Sequence, residues 1–593
     1  MKLRSLRLVL LFVFLFFGFC ASAVNLFSLD REAFTFTSYD LNVRVESEQQ
    51  RLGVRGKITL RNDSATPQKV AVLQISSSLA WRSIKAGDKL LAFVAQPYTS
   101  DIDHTGALSE AIVTLPDAVA PKGTVELEIA YEGVIVLDAT RLTRIGTPED
   151  VARASDWDQI STKFTAVRGV GYVAWYPIAT EDADLTEGKN LFEVLGRWKA
   201  REANSKMHLH IDISRNDGER PPELIVNEAS CRVIYEAMER AQMYSGDCMY
   251  QPLALVVPTF VMANYEVVDR AAVNVHYLNG HDSSAINYAD AAEKAVLLIT
   301  EWFGTPHSKV TTADLLDPNA APFESGSFLF TSLTNTDPKL AGLIAAHQLT
   351  HAAFASPRPW INEGLAHFAQ ALYLEQQTGR QSALDYIGSH RSALSAAESD
   401  SDKDKQTTAP RSEDEVNRSS TRSLINTYDE ELYRSKAMCV WWMLRDMIGD
   451  RALKKALASY QPEQDKEPSY MQGLIQAQTQ RDLEWFFDDW VYRDRGLPDF
   501  KVESAFVRKT LPDGYLLTIT VDNMGTAGAE VPVTVKLAGG EVTQRLVVRG
   551  KSNGVIRVEV QKPPEEIVIN DGSVPESDLA NNTFKIEVGA AAK

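Results

Sequence analysis

Cysteine is scarce in this chain, with four in 593 residues. Their spacings match no zinc finger, which excludes a cysteine-based structural zinc site of that kind. Cys20 lies in an N-terminal apolar run, and Cys439 falls in an apolar helical pattern typical of a core residue. Cys231 and Cys248 flank a segment with a helical pattern. In an oxidising compartment we expect a local disulfide between this last pair, with two buried thiols as the alternative.

Positive charge is in the minority, with 61 Lys and Arg against 79 Asp and Glu and a net charge of −18. Such a chain repels phosphate backbones and anionic lipid headgroups, which argues against nucleic acid or an anionic membrane surface as a partner. The hydrophobic and charged fractions, 44% and 24%, are those of an ordinary globular protein. A chain of 593 residues is too long for one hydrophobic core, so we expect several domains.

Beyond its N-terminus the sequence has no apolar run long enough to span a bilayer. Residues 1–23 combine the basic Lys2, Arg4 and Arg7 with a short apolar run and then small residues, which is the plan of a secretory signal peptide. We therefore expect a secreted or periplasmic protein with no membrane span after the signal peptide. An uncleaved membrane anchor is the alternative.

Hydrophobic periodicity divides the remaining chain into three regions. Residues 24–262 contain short segments in which apolar and polar residues alternate, which predicts an antiparallel β domain with one solvated face. In residues 263–498 the period is helical, as in Ile286–Gly304, where apolar residues form one stripe before a glycine. Alternation returns in residues 499–593 and predicts a small β-sandwich. The expected fold class is multidomain α+β.

One segment inside the helical region has a different composition. Residues 397–421 are charged, rich in serine and threonine and free of aromatic residues. Such a segment has too little apolar surface to build a core, which predicts a mobile insertion.

The stretch AAHQLTHAAFASPRPWINEGLAHF, residues 345–368, contains a pattern of metal ligands. His347 and His351 are four residues apart, so a helix presents both imidazoles on one face. Glu363 follows near the start of the next predicted helix and supplies a carboxylate. Two imidazoles and one carboxylate suit a zinc ion that keeps one position open, whereas two packed or solvated histidines are the alternative. His367 is expected to pack in the core or to orient Glu363, with metal ligation as the alternative.

With HQLTH followed by WINEG, the chain resembles the aminopeptidase N family of gluzincin zinc peptidases, in its divergent bacterial branch. The family's pattern is HExxH followed, after a spacer, by a WLNEG-type segment that carries the third ligand. YRSKAMCVWWMLRDMIG and RDLEWFFDDWVYRDRGLP also resemble later helical motifs of the family. The resemblance implies an N-terminal β saddle domain, a mainly helical thermolysin-like catalytic domain and an Ig-like C-terminal β-sandwich. It also implies zinc as the cofactor and a peptide or protein as the substrate or ligand.

Three departures from the family pattern bear on activity. The spacer between His351 and Glu363 is shorter than usual, which a loop deletion explains. PFESGSFLF replaces the family's Gly-x-Met-Glu-Asn strand and leaves Glu324 as the candidate that binds a peptide's free amine. Gln348 occupies the position of the catalytic glutamate, and an amide has no useful basicity as a general base.

The family's tyrosine, which stabilises the oxyanion, has no clear counterpart. When Lys436 is aligned with the family's lysine, Arg434 falls at the tyrosine position and Tyr433 lies one residue earlier. Tyr433 is the candidate oxyanion donor, with Tyr428 as a second candidate. A half-buried residue at the start of a helix is the alternative for Tyr433.

These patterns predict an exported, zinc-binding, aminopeptidase-like protein whose peptide hydrolysis is weak or lost because of Gln348. If the protein does hydrolyse peptides, Glu324 is the candidate that replaces the missing glutamate as general base. A non-catalytic scaffold of the bacterial envelope that binds peptides or proteins is the alternative, and a metal-free scaffold is a third. Whether the protein is an enzyme therefore stays open at the level of sequence.

Overall fold

The computed structural model describes residues 29–586 apart from residues 187–190, 216–221, 228–229, 238–241, 335–336, 393, 395–422, 428–430, 494 and 511–513. The predicted signal peptide (1–23), the predicted insertion (397–421) and Tyr428 lie outside the described residues. No helix in the described part of the chain combines the length and the apolar composition that a membrane span requires.

Strands form the first part of the structure because apolar and polar residues alternate along it. In the first strand Leu41, Val43 and Val45 are buried, and the residues between them are exposed. The strands are β1 (Phe34–Glu46), β2 (Arg51–Asn62), β3 (Gln68–Ser76), β4 (Leu79–Ala86), β5 (Lys89–Leu90), β6 (Phe93–Thr99), β7 (Ala107–Val119), β8 (Thr124–Val134), β9 (Phe164–Val167), β10 (Lys206–Arg215), β11 (Glu223–Val226), β12 (Ser230–Ala237), β13 (Gln242–Tyr250) and β14 (Phe260–Ala263). A 3₁₀ turn (Ser47–Gln49) and the helices α1 (Thr140–Thr143), α2 (Glu149–Ser155) and α3 (Leu191–Glu202) connect them.

The largest sheet has the strand order β12-β13-β10-β1-β2-β8-β4-β5, beside smaller sheets β3-β7-β6 and β11-β14-β9. β1 pairs with β2 in the antiparallel sense but with β10 in the parallel sense. The prediction of a purely antiparallel domain is therefore wrong at this pair. Parallel neighbours need a long crossover connection, and the chain between β1 and β10 supplies one that ends in α3, which packs against β1.

The segment between Cys231 and Cys248 is a pair of strands, so the predicted helix is wrong. β12 and β13 pair in the antiparallel sense with Cys231 opposite Cys248, and the two cysteines form a disulfide, which confirms the predicted bridge. The β-branched Val233 and Ile234 favour extended backbone, and β13 pairs along its whole length with β10. Those non-local bonds outweigh the helical periodicity. Cys439 is free and buried, as predicted.

Helices dominate the next region and pack against a mixed sheet, β15-β16-β17-β19-β18. Its strands are β15 (Glu266–Asp269), β16 (Val273–Tyr277), β17 (Val310–Asp314), β18 (Phe323–Ser325) and β19 (Phe328–Thr331). The helices are α4 (Asp282–Phe303), α5 (Pro338–Ala353), α6 (Pro359–Thr378), α7 (Arg380–Ser389), α8 (Ala437–Ile448), α9 (Asp450–Ala458), α10 (Tyr470–Gln476) and α11 (Glu484–Phe487), with π-helical turns at Glu431–Lys436 and Asp488–Tyr492 and a 3₁₀ turn at Pro462–Gln464. The helix predicted at Ile286–Gly304 is α4, which ends where Gly304 adopts a φ of 95°.

Strands return at the C-terminal end in two sheets, β20-β21-β24 and β23-β22-β25-β26. They are β20 (Phe500–Thr510), β21 (Gly514–Asn523), β22 (Ala529–Leu537), β23 (Gly540–Val548), β24 (Ser552–Val560), β25 (Pro564–Ile569) and β26 (Thr583–Lys585). Their buried residues form one continuous core with those of α4 to α11, while most of the first region has a core of its own. The chain is thus a mixed α+β protein with several sheets. The boundaries predicted at 262/263 and 498/499 stay predictions.

Glu202, at the end of α3, connects this helix to β1. Its carboxylate accepts hydrogen bonds from the backbone N–H of Phe36 at 3.3 Å and from the hydroxyl of Ser205 at 3.1 Å. Burial raises the pKa of Glu202 to about 7, although the neighbouring Arg201 guanidinium opposes that rise.

We expect ionisation of Glu202 to lower thermal stability as the pH rises from about 4.5 to about 7. The unfolded carboxyl ionises near its ordinary pKa while the folded one keeps its proton, so this contribution is present below the ordinary pKa and is lost as the pH passes the folded value. Calorimetric Tm values between about pH 5 and pH 8 should therefore fall less for Glu202→Gln than for the wild type. Glu193→Gln, on the exposed side of the same helix, is the control. Equal slopes in all three proteins would contradict the prediction.

Candidate metal centre

α5 places two histidines side by side. It begins at Pro338, where the side chain of Asp337 accepts a hydrogen bond from the backbone N–H of Lys339 at 2.7 Å. His347 and His351 are one turn apart, and their Nε2 atoms lie 3.2 Å from each other. The opposite side of the helix packs in the core against α4. The helix therefore directs both imidazoles to one point, as the spacing predicts.

Glu363 approaches the same point from α6. Its Oε1 lies 3.4 Å from Nε2 of His351, and its Oε2 lies 3.7 Å from Nε2 of His347. α5 and α6 are joined by the short connection 354–358, so the shortened spacer still brings the carboxylate opposite the histidines. The three residues predicted as metal ligands thus converge.

A second carboxylate, that of Glu324 on β18, reaches the histidines more closely than Glu363 does. Its Oε2 lies 3.0 Å from Nε2 of His351 and 3.3 Å from Nε2 of His347. Glu324, His347 and His351 form a group that could hold a metal ion, with their ligand atoms all within 4.8 Å of one another. Two imidazole nitrogens and two carboxylate oxygens are donors that Zn²⁺ accepts, so this set fits zinc.

Charge compensation within the cluster shifts its pKa values. Burial alone would raise the pKa of Glu324, but the imidazoles of His347 and His351 outweigh it and hold that pKa well below its usual range. Burial lowers the pKa of His351, and the carboxylates of Glu324 and Glu363 more than reverse this and raise it to about 9. The cluster is electrostatically suited to carry positive charge between its carboxylates.

His367 lies behind the cluster, where the sequence leaves packing, orientation of Glu363 and ligation open. Its ring is 5.0 Å from that of His347, and its Nδ1 is 3.4 Å from the hydroxyl of Tyr386. Burial, followed by the charge of His347, lowers the pKa of His367 well below its ordinary value. A neutral imidazole packed against His347 agrees with the packing alternative.

Two residues of the site were not found by sequence reasoning. Asn362 lies between ligands, with its Nδ2 3.0 Å from Nδ1 of His351 and 3.4 Å from Oε1 of Glu363. Its Oδ1 accepts a hydrogen bond from the backbone N–H of Ser356 at 3.2 Å, which ties it to the α5–α6 connection. Lys199 of α3 belongs to the first region, and desolvation lowers its pKa while the charge of Glu363 opposes that shift. Asn362 is the asparagine of the WINEG segment, which is the one signal that could have revealed it.

Gln348 is fully buried beside the first histidine. Its Oε1 accepts a hydrogen bond from the hydroxyl of Thr312 on β17 at 3.2 Å. Its Nε2 has no hydrogen-bond partner among the described residues. A buried donor of this kind is costly unless a bound group accepts from it.

The π-helical turn Glu431–Lys436 lies on the side of Glu363. Tyr433 is almost completely buried, whereas the Arg434 side chain is partly exposed and its Nε is 3.9 Å from Oε2 of Glu363. The residue that aligns with the family's tyrosine is therefore an arginine that faces a predicted ligand. π-helical turns often mark functional sites because they change which side chains a helix directs inward.

Solved structures share this fold, and two of them illustrate the likeness. Aminopeptidase A of Legionella pneumophila, in complex with aspartic acid, has a TM-score of 0.60 at 12% identity, covering 92% of this chain and 59% of that chain. A mutant M1 zinc metallopeptidase of Deinococcus radiodurans, bound to a Tyr-Ser-Ala substrate, has a TM-score of 0.50 at 16% identity, covering 79% and 96%. At these identities the likeness concerns the fold. A search of curated proteins finds no match to this sequence.

Residues 357–490 match the Peptidase family M1 domain. The matched segment contains α6 with Glu363 and ends within the π-helical turn Asp488–Tyr492. This match, over less than a quarter of the chain, supports the predicted resemblance to the aminopeptidase N-like gluzincins. Zinc is the metal of this family, and the imidazole and carboxylate donors of the cluster suit it.

The helix that carries Glu363, α6, approaches α8 closely at Gly364. A Cβ on Gly364 would lie 2.7 Å from Cβ of Ala437 and 3.0 Å from Nε1 of Trp441, so only glycine lets α6 pack this closely on α8. Trp360 stacks on Trp441, with ring centroids 5.2 Å apart. This contact fixes the turn of α6 that carries Glu363.

Gly364→Ala should lower stability by about 1–3 kcal/mol, because the added methyl group overpacks the α6–α8 contact. It should also weaken zinc binding, since relief of the clash shifts Glu363. The matched control is Gly388→Ala, because Gly388 in α7 has open space around its Cβ position. Thermal denaturation and zinc titration of both variants measure the effect. Equal behaviour of the two variants would show that the close approach at Gly364 is unimportant.

Proposed function

We propose that this chain is an exported, zinc-binding member of the M1 fold that binds peptides and whose peptide hydrolysis is weak or lost. The observation that carries the proposal is Gln348, a buried amide at the position of the family's catalytic base. His347, His351 and Glu363 are the proposed zinc ligands, with Glu324 beside them.

The expected loss of peptide hydrolysis comes from one missing proton transfer. A bound zinc ion supplies a polarised carbonyl and an acidified water. In the family, the glutamate after the first histidine takes the proton of that water and passes it to the leaving amine. The Gln348 amide can hydrogen-bond but cannot accept the proton. General acid–base help contributes ~10²–10⁴ in rate, so a loss of that order is the minimum expected.

The position of the candidate oxyanion donor adds to the expected loss of hydrolytic rate. Tyr433, the candidate donor, is almost completely buried, and Arg434 takes the family's tyrosine position. The Arg434 guanidinium lies against Glu363, where its charge offsets a predicted ligand. We propose Tyr433 or Arg434 as the donor to a developing oxyanion in any residual reaction.

The finer assignments of domains and location belong to the same proposal. We propose a β saddle domain (24–262), a thermolysin-like domain (263–498) and an Ig-like β-sandwich (499–593). The change of hydrophobic core between Met262 and Val268 supports the first boundary. The basic and apolar pattern of residues 1–23 supports export to the periplasm or the medium. The Cys231–Cys248 disulfide agrees with an oxidising compartment.

A second candidate is a scaffold that binds peptides or proteins beside the metal cluster, where the family binds its substrates, without any hydrolysis. It shares the zinc site and the fold with the first proposal. The same buried amide of Gln348 favours it, and the two candidates differ only in residual hydrolysis.

Gln348→Glu should restore zinc-dependent hydrolysis of aminoacyl-amide substrates by about 10²-fold or more, because it returns the missing base. Hydrolysis of a series of aminoacyl p-nitroanilides by zinc-loaded wild type and variant measures the effect. Gln376→Glu, on the exposed side of α6, is the control and should leave the rate unchanged.

Robust zinc-dependent hydrolysis by the wild type, lost on His347→Ala, would show that the protein is an ordinary peptidase. Absence of bound zinc in the wild type would leave the metal-free scaffold. Zinc near one per chain, with activity only in Gln348→Glu, supports weak or lost hydrolysis.

A further inference from the structure

We propose that Glu324 is a fourth protein ligand to the metal, so that the zinc site is closed to water in the resting protein. This inference rests on the zinc site of the proposed function and goes beyond its three expected ligands. It assigns to Glu324 a metal-binding role in place of binding a peptide amine.

Distances between donor atoms carry the proposal. Atoms bound about 2.0–2.1 Å from a tetrahedral zinc ion lie about 3.3–3.4 Å from one another. The imidazole nitrogens of His347 and His351 are 3.2 Å apart, and Oε2 of Glu324 is 3.3 and 3.0 Å from them. Glu363 oxygens lie 3.7 and 3.4 Å from the same nitrogens. The three separations among His347, His351 and Glu324 are close to three edges of one coordination tetrahedron, while Glu363 presents a different oxygen to each histidine.

The backbone on both sides of Glu324 is fixed. The hydroxyl of Ser325 accepts a hydrogen bond from the backbone N–H of Val257 at 2.9 Å. Phe323 packs edge-on against Tyr172, with ring centroids 5.3 Å apart. Because β18 is anchored at both neighbours, the carboxylate reaches the histidines from a defined strand position and not from a loose loop.

The chain before β18 is also held by the first region. The indole Nε1 of Trp157 donates to the carbonyl of Ala321 at 3.0 Å, and the N–H of Ala321 donates to the carbonyl of Ala154 at 2.7 Å. Trp157 in turn stacks under the Arg168 guanidinium at 3.8 Å. The position of Glu324 is thus set by residues that lie far away in sequence.

A closed set of ligands also accounts for Gln348. Structural zinc sites have four protein ligands, whereas catalytic sites keep one position for water. In the resting protein there is then no metal-bound water whose proton a base could take, so the hydrolysis expected of Gln348→Glu requires substrate or water to displace the Glu324 carboxylate. The amide of Gln348 and the carboxylate of Glu324 at the histidines are separate features, and both indicate a zinc site that does not activate water in the resting protein.

The test compares zinc affinity and access of a small ligand to the metal. Chelator competition measures the zinc Kd of wild type, Glu324→Ala and Glu324→Asp, and visible spectra of the Co²⁺-loaded proteins are recorded with and without acetohydroxamate. Glu223→Ala, which breaks a glutamate–histidine pair at 2.9 Å outside the site, is the matched control. Circular dichroism of each variant reports folding.

We expect the Co²⁺ spectrum of the wild type to stay unchanged when acetohydroxamate is added. The spectrum of Glu324→Ala should change, because removal of the carboxylate opens a coordination position on the metal. Zinc affinity should fall at least about tenfold in Glu324→Ala and in Glu324→Asp, since the shorter aspartate keeps the charge but not the reach. Glu223→Ala should match the wild type.

A wild-type spectrum that responds to acetohydroxamate, or zinc affinity in Glu324→Asp within twofold of wild type, would overturn the fourth ligand while leaving the proposed zinc site in place. Absence of stoichiometric zinc in the folded wild type would instead overturn the zinc site of the proposed function.

Discussion

Two carboxylates held within 4 Å of the same pair of imidazole nitrogens repel each other, and the surrounding structure keeps them together. α5 contributes the two imidazoles, α6 and β18 contribute one acid each, and all three elements are fixed by apolar packing away from the cluster. The rest of the site follows from this arrangement. The low pKa of Glu324 and the raised pKa of His351 are its electrostatic signature.

The packing that maintains the cluster comes from both large regions of the chain. Gly364 and the Trp360–Trp441 stack hold α6 from within the helical region. β18 is instead held by Trp157 and Tyr172, which belong to the strand-rich first region. The metal centre therefore joins the two regions physically, although its ligands all come from one of them in sequence.

Local patterns predicted the parts of this site that depend on local structure. The four-residue spacing of His347 and His351 required only one helix, and the WINEG segment located Glu363 on the next. The approach of Glu324 to the histidines could not be predicted in the same way, because it depends on contacts between β18 and residues far away in the chain. The helix predicted between Cys231 and Cys248 failed for a related reason, since pairing with β10 decides that segment. The parallel pairing of β1 with β10 is likewise a non-local outcome that alternation cannot show.

β18 is the last strand of its sheet as described, so its outer edge is where an extended peptide could pair, and Glu324 is the middle residue of that strand. Pairing at the edge and coordination at the metal are then linked equilibria. Any ligand of the edge that shifts Glu324 changes the affinity for the ion by some factor, and the ion must change the affinity for that ligand by the same factor. Through Glu324, peptide binding at this three-residue strand would be linked to occupancy of the metal centre.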